Sequence, residues 1–403
     1  MKKYIYLNYT FYLFIVVIIF SSCKRDKGYI PNSSAFIEIN LDKLSVIDTL
    51  SFSKIFDNVT FITLSDSNLI GEISKIIIHD NNLFVLDKIS NSVAVFNEKG
   101  DYLKKFGSKG AGPGEMISAF DMTIDKENNY IYISDIHTRK INKYNIEDGK
   151  FQYSISLPIN IPSYSYIFHT HDTIYLTQCD PSKNELEHLF MVFPLSEGTP
   201  HTIIPTSYNK GWDNILANYN GTFLSKSDGS LLLSHIFMDT IYEVSHKKIK
   251  PYLVLNANKE NTFVSKDLLD LDVNNNPMDM VKILSSNKYF DIHNFIDTND
   301  YIFFKVYKGS KIENVLYNKI SSTSERIKLI SEDILFDNIK LSHTPLNYAE
   351  KHNKLIIYYV KPNDVEKLIG ITDQIKDFTF LKYIKSLKDS DSFNGLIIFY
   401  NLR

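Results

Sequence analysis

Residues 74–107, SKIIIHDNNLFVLDKISNSVAVFNEKGDYLKKFG, and residues 119–156, AFDMTIDKENNYIYISDIHTRKINKYNIEDGKFQYSIS, decide the fold, because the second repeats the pattern of the first. Asp87 recurs as Asp135, and Phe96-Asn97 recurs as Tyr144-Asn145, both 48 residues later. An offset shared by two separate strands marks a structural repeat. Each unit divides into four short runs. In the first, SKIIIHD, LFVLD, SVAVFN and YLKKFG are parted by Asn81-Asn82, Ile89 to Asn91 and Glu98-Lys99-Gly100. In the second, AFDMTID, YIYISD, KINKYN and FQYSIS are parted by Asn128-Asn129, His137 to Arg139 and Asp148-Gly149. Asn, Asp and Gly tolerate the positive φ of tight hairpins, so each unit reads as an antiparallel meander.

The same grammar continues. A third unit reads SYSYIFHT, TIYLTQ, HLFMVFP and HTIIPT; a fourth, GTFLSKSD, LLLSHI, TIYEVS and PYLVLN; a fifth, FDIHNFIDT, YIFFKVY, ENVLYNK and SERIKLI. A sixth holds KLIIYYV and GLIIFYN. The aromatic-Asn ending returns at Tyr317-Asn318 and Tyr400-Asn401. Six four-stranded antiparallel sheets predict an all-β fold, a six-bladed β-propeller over residues 36–403, with radial packing that leaves only short edges. The last unit is one strand short. VTFITL (Val59 to Leu64) is the first candidate to complete it as outer strand, and FIEINL (Phe36 to Leu41) the second. Two packed β-sandwiches are the alternative architecture. Residues 264–284 and 364–387 break the strand pattern with apolar residues at spacings of three and four, which predicts two short helical insertions packed over the sheets.

Phe106 to Met116, FGSKGAGPGEM, brings four of the 15 glycines together beside a lysine. A phosphate-binding P-loop needs Gly-Lys-Ser/Thr, and a dinucleotide fingerprint needs a helix to follow. Neither is present, since AFDMTID reads as a strand. Gly107, Gly110, Gly112, Pro113 and Gly114 are therefore assigned to the crossing from one sheet to the next, with Gly112-Pro113-Gly114-Glu115 a type II turn.

Composition agrees. The chain has 403 residues, 44% hydrophobic and 13% aromatic, with 26 Tyr and 27 Phe, which favours strands and a large core. Lys+Arg 44 against Asp+Glu 47, with no block of one sign, excludes a nucleic-acid footprint. At the N-terminus, Lys2 and Lys3 precede an apolar run, Ile5 to Phe20, that ends at Ser21-Ser22-Cys23. This is the layout of a secretory signal over residues 1–22. An uncleaved anchor helix is the alternative. Residues 23–35 read as a flexible tether. Cys179 is the only other cysteine.

FSSC resembles a bacterial lipobox, although Phe20 stands where Leu is usual, and the resemblance implies a lipid on Cys23 and hence a membrane partner. Lys24-Arg25-Asp26-Lys27 lacks the acidic run that resembles the surface-export signal of Bacteroidetes lipoproteins. The expected address is the outer membrane facing the periplasm, with the cell surface as alternative. Residues 107–149, with their glycine-rich start, Asp135 and Arg139, resemble an NHL-type repeat. Lipobox, repeat and C-terminal strand together resemble the six-bladed propeller lipoproteins of Bacteroidetes, a resemblance that implies fold and address rather than an activity.

For chemistry, His169 and His171 are candidate metal ligands because alternation places them on one strand face. His79, His137, His235 and His293 end strands in four units, and Tyr164, Tyr166, Trp212 and Tyr219 are of the type that stacks on sugars. No nucleophile elbow or zinc-protease motif occurs. Asp87 and Asp135 are expected to hold turns and Arg139 to pair between sheets. The expected function is non-catalytic: binding a protein, peptide or saccharide through one face of the ring, with no cofactor. The alternative is a lactonase-like hydrolase or a lyase with Ca²⁺ or Zn²⁺ at the central channel.

Overall fold

The computed structural model describes residues 36–157, 164–178, 188–196, 198, 201–205, 222–226, 230–234, 238–245, 248–258, 276–286, 288–337, 339–341, 350–352, 355–387 and 394–403. Cys23, Cys179, Trp212, Tyr219, His235 and residues 264–275 lie outside them. Ile37–Arg403 is a unit of its own, and the following concerns that unit.

Three strands come first: β1 (Ile37–Asn40), β2 (Ser45–Ser51) and β3 (Phe56–Thr63). The first repeat supplies β4 (Ile73–His79), β5 (Asn82–Asp87), β6 (Ser92–Phe96) and β7 (Tyr102–Phe106). The second supplies β8 (Ala119–Asp125), β9 (Tyr130–Asp135), β10 (Lys140–Asn145) and β11 (Phe151–Ser156). Then follow β12 (Tyr164–Thr170), β13 (Thr173–Gln178), β14 (His188–Pro194) and β15 (His201–Pro205), and β16 (Thr222–Ser225), β17 (Leu231–Ser234), β18 (Thr240–Ser245) and β19 (Lys248–Asn256). Helix α1 (Pro277–Ser285) leads to β20 (Tyr289–Asp297), β21 (Tyr301–Lys308), β22 (Lys311–Asn318) and β23 (Thr323–Glu332). Last come β24 (Ile339–Leu341), β25 (Glu350–His352), β26 (Leu355–Val360), α2 (Pro362–Gly370), α3 (Phe378–Leu387) and β27 (Leu396–Leu402).

These strands pair into six sheets. β4 to β7, β8 to β11 and β12 to β15 are plain four-stranded antiparallel meanders. The four-stranded antiparallel unit recurs in the fourth, fifth and last sheets, and the fourth and fifth carry added strands. β1 adds to the fourth in parallel beside β19, Ile37 opposite Leu253, and makes it five-stranded. β2 adds to the fifth in parallel beside β23, Ile47 opposite Ile327; with β24 that sheet has six strands. FIEINL therefore does not serve the last sheet. The outer edges of β19 and β23 present unpaired backbone groups, and the N-terminal segment covers them as it passes. The last sheet runs β25, β26, β27, β3, with Ile62 opposite Ile397.

The first strands of successive sheets touch one another: β4 with β8, β8 with β12, β12 with β16, β16 with β20, and β25 with β4. Because strand side chains alternate, each sheet offers one apolar row to the sheet before it and one to the sheet after. Leu231 and Leu233 pack with Tyr175 and Val192 of the third sheet, whereas Leu232 joins Ile292 and Phe304 of the fifth. The first two sheets share Phe84, Val95, Met122 and Ile133; the second and third, Tyr132, Ile141, Ile174 and Leu176. Ile296, Phe303 and Leu316 meet Leu396 and Ile398, and Ile397 and Phe399 return to Ile76 and Val85 of the first sheet. Sheets packed in sequence around their first strands make a β-propeller.

Local chemistry explains the repeat signature. The aromatics of three of the four aromatic-Asn pairs, Phe96, Tyr144 and Tyr400, are buried in the core, and Tyr317 packs half-buried against it. The Asn then folds the next hairpin with its side chain. Asn97 Oδ1 accepts from Lys99 and Asp101 N–H, Asn145 Oδ1 from Glu147 and Asp148, and Asn318 Oδ1 from Ile320 and Ser321.

In such meanders the turns between first and second strands, and between third and fourth, emerge on one face of the ring, here the hairpin face. The second-to-third turns and the crossings between sheets emerge on the opposite, or connection, face. FGSKGAGPGEM, α1, α2 and α3 all belong to the connection face. Residues 362–387 are built into the core: Val365, Phe380 and Ile384 are fully buried, and Phe380 meets Phe61 edge-on at 4.9 Å. Tyr383 fastens the same segment to β3, its hydroxyl accepting from Thr63 N–H at 2.8 Å.

Candidate functional site

The first strands expose their inner edges, and the side chains of one strand satisfy the edge of the next. On β8, Asp121 Oδ2 accepts from Ile167 N–H of β12 at 2.8 Å, and Thr123 Oγ1 accepts from His169 N–H at 2.9 Å. The other oxygen of Asp121 takes the Lys75 ammonium of β4 at 2.8 Å. One buried carboxylate thus ties the first three sheets together.

Beside this tie, on the connection face, lies a mixed patch. Phe120 meets Tyr166 edge-to-face at 5.1 Å, and Lys88 Nζ stands 4.9 Å from the centre of the Phe120 ring. On the same face the crossings and turns present Leu69, 78% exposed, Ile89, 62%, and Ile117, 39%.

The repeat residues hold this face in shape. Asp87 accepts from Gly71, Glu72 and Ile89 N–H. Asp135, its counterpart, accepts from Ile117, Ser118, His137 and Thr138 N–H at 2.9 to 3.3 Å. Each joins a second-to-third turn to the crossing from the preceding sheet. Arg139 and its counterpart Asn91 share a left-handed backbone, φ +56° and +50°. Asn91 Oδ1 accepts from Ala119 N–H, and the carbonyl of Arg139 accepts from Leu157 N–H.

The glycine-rich crossing folds on itself. Glu115 N–H reaches the Gly112 carbonyl at 3.0 Å and Gly114 has φ +74°, the geometry of a type II turn around Pro113. The Glu115 carboxylate occupies the loop, accepting from Gly112 N–H at 2.8 Å; a Cβ on Gly110 would lie 2.1 Å from it. The place a phosphate would take is filled by the chain's own anion. Gly107 follows β7 with φ +71°.

The histidines do not converge. His169 is buried on β12, stacked at 5.2 Å on Tyr132 with Asp125 Oδ2 at 3.7 Å from Nε2; burial lowers its pKa, against the pull of Asp125. His171 sits beyond the strand in the turn at φ +53°, exposed, so strand alternation does not extend to it. This corrects their pairing as ligands. His79 ends β4 on the hairpin face and His137 lies on the connection face. Among the described residues no group of three or more His, Cys, Asp or Glu is placed to hold a metal ion.

A second polar group lies on the fifth sheet. Asp291 faces Tyr307 and His293 faces Lys305 across β20 and β21. Sequence reading reaches His293 as a strand end and Tyr166 as an aromatic, but passes over Lys88, Phe120, Asp121 and Lys305. The start of each first strand, just after a crossing, is the signal that finds Phe120 and Asp121.

Among solved structures, the chain is similar to a protein of Bacteroides fragilis described as exported, at 18% identity and a TM-score of 0.68, covering 92% of this chain and 100% of that one. It is also similar to a DUF4221-family member from Bacteroides vulgatus, at 10% identity and a TM-score of 0.50, over 86% and 97% of the two chains. No curated protein matches it. The chain belongs to the family described as a domain of unknown function, DUF4934, which it matches over residues 36–401.

Proposed function

We propose that this propeller is six-bladed and that it is a binding protein whose connection face, around Lys88, Phe120 and Tyr166, takes a protein or peptide segment. The blade count is supported by the six sheets and by an apolar cluster at each of the six junctions between them. The binding reading is carried by one observation: Leu69, Ile89 and Ile117 stand exposed on the face where the Asp87 and Asp135 networks hold the backbone still. Exposed aliphatic side chains on a rigid frame suit a peptide's apolar side chains, because little ordering cost remains for binding. In the same reading the protein is exported and held by lipid on Cys23. The similarity to an exported protein across 92% of the chain supports export, and the FSSC stretch supports lipidation.

The experiment is a binding comparison in the native envelope. The Leu69→Asp/Ile89→Asp variant is expected to lose a co-purifying partner that the wild type retains, at unchanged thermal stability. Retention of the partner by the variant contradicts the reading, and a glycan-array signal lost in the same variant would transfer the face to a saccharide. Palmitate labelling that survives Cys23→Ala defeats the lipid anchor.

A further inference from the structure

The outer rim of the ring is formed by β7, β11, β15, β19, β23 and β3. An outer strand presents unpaired N–H and C=O groups, which native proteins cover or blunt. Here β1 covers β19 and β2 covers β23, each in parallel. On β3, the Tyr383 hydroxyl of α3 accepts the Thr63 N–H. β7 carries Lys104 and Lys105, and Lys104 Nζ donates to the Glu147 carbonyl at 2.8 Å. β15 ends on Pro205, which has no N–H to offer. β11, FQYSIS, has neither lysine nor proline, and among the described residues no strand pairs with its outer edge. Leu157 N–H bonds the Arg139 carbonyl at 3.0 Å. By antiparallel alternation Tyr153 and Ile155 therefore bond inward to β10, and Ser154 and Ser156 turn their N–H and C=O outward.

One cross-strand row leads to this edge: Tyr132 of β9, Lys143 of β10 and Tyr153 of β11 stand opposite one another. Lys143 Nζ lies 3.7 Å from the centre of the Tyr130 ring, 5.3 Å from that of Tyr132 and 5.4 Å from that of Tyr153. Among the described residues its ammonium has these rings but no hydrogen bond or ion pair to an oxygen. Tyr153, 46% exposed, ends the row at the rim.

We propose that the open edge of β11 is a docking site for an extended acidic peptide segment of a partner protein, which adds as a strand and sets a Glu or Asp beside Tyr153 to pair with Lys143. The chain uses the same mode on itself where β1 and β2 add to β19 and β23. The outward groups of Ser154 and Ser156 supply main-chain hydrogen bonds, and the side-chain row supplies selectivity. An added strand lies two strand spacings from β10, roughly 9–10 Å between backbones, a gap that lysine and glutamate side chains bridge together. The site is on the outer rim of the second sheet, apart from the connection face, so either can fail without the other.

Two seven-residue peptides of alternating Thr and Val, identical except for a central Glu or Lys, test it on the full chain. At about 1 mM, enough to populate a weak complex, the Glu peptide is expected to slow amide hydrogen exchange at Ser154 and Ser156 several-fold and to leave Tyr153 and Ile155 unchanged. It should bind about five- to tenfold more tightly than the Lys peptide, the scale of exchanging a like for an opposite charge across strands. Lys143→Met, with unchanged circular dichroism, should reduce that preference to about twofold or less. Unaltered exchange at Ser154 and Ser156 in the wild type overturns the docking site, and a Glu preference that survives Lys143→Met overturns its acidic selectivity. Oligogalacturonate binding that depends on Lys143 without protecting the two serine amides overturns the strand and assigns the rim to an acidic saccharide.

Discussion

The first two sheets and the last two solve the same packing problem in opposite ways. In the first two, order is local. Asp87 and Asp135 bind backbone N–H groups within 2 to 18 residues of themselves, and Asn97 and Asn145 fold hairpins within four residues. In the last two, the Asn318 hairpin keeps the local code and further order is imported. β2 pairs with β23 at a separation of 280 residues (Ile47 with Ile327) and β3 with β27 at 335 (Ile62 with Ile397), and Ser53 hydrogen-bonds Asp333 280 residues away. The difference teaches that a repeat protein can rely on its turn code in some units and supplement it elsewhere with an N-terminal strap. The strapped half must wait for both chain ends before it closes, which places its formation late in folding.

The comparison can be broken first at the strap. Phe52 is fully buried and meets Phe56 and Tyr400 edge-on at 5.1 and 5.3 Å. Phe52→Ala is expected to cost about 3–5 kcal/mol in denaturant unfolding, the range for a large core truncation. A loss below about 1 kcal/mol would mean that the strap is peripheral. At the local code, Asp135→Ala leaves N–H groups at Ile117, Ser118, His137 and Thr138 without their acceptor. It should cost about 3 kcal/mol, and Asp87→Ala somewhat less because Asp87 serves three. Equal, negligible losses at both positions would refute the turn code.

Why the sequence disclosed one half better than the other follows from these residues. Asp87 and Asp135 act on neighbours, so their chemistry recurs visibly at a fixed spacing. Parallel edge pairing by Ile37–Asn40 and Ser45–Ser51 needs no turn, and leaves no mark beside either strand. His171 reads as a strand residue until the tight turn at Thr170–Thr173 lifts it out. Lys305 is an ordinary lysine in YIFFKVY, and only the packing around β20 and β21 buries it and pushes its pKa down to about 8. The candidate site was thus legible in its aromatic Tyr166 and in His293, and hidden in the partners that three-dimensional neighbours supply.

The smallest effect is electrostatic. Burial raises the pKa of Asp333, but the hydroxyl and amide of Ser53 more than offset this and hold it below 3.8. A carboxyl depressed by folding contributes stability that is complete above its unfolded pKa and is lost as pH falls through the folded value. Asp333→Asn should therefore cost about 1 kcal/mol at neutral pH, and the gap to wild type should close below pH about 4. A gap that widens on acidification would show the sign to be wrong.

The central claim, that partners meet the connection face of the unstrapped half, is tested most directly by site-specific photo-crosslinking in cells. Ile89, on that face, and Ile320, on the hairpin face of the fifth sheet, are both isoleucines in turns, 62% and 77% exposed. A photoreactive residue at position 89 is expected to capture a discrete partner, and the same residue at position 320 none. Capture from position 320 but not from 89 would contradict the account.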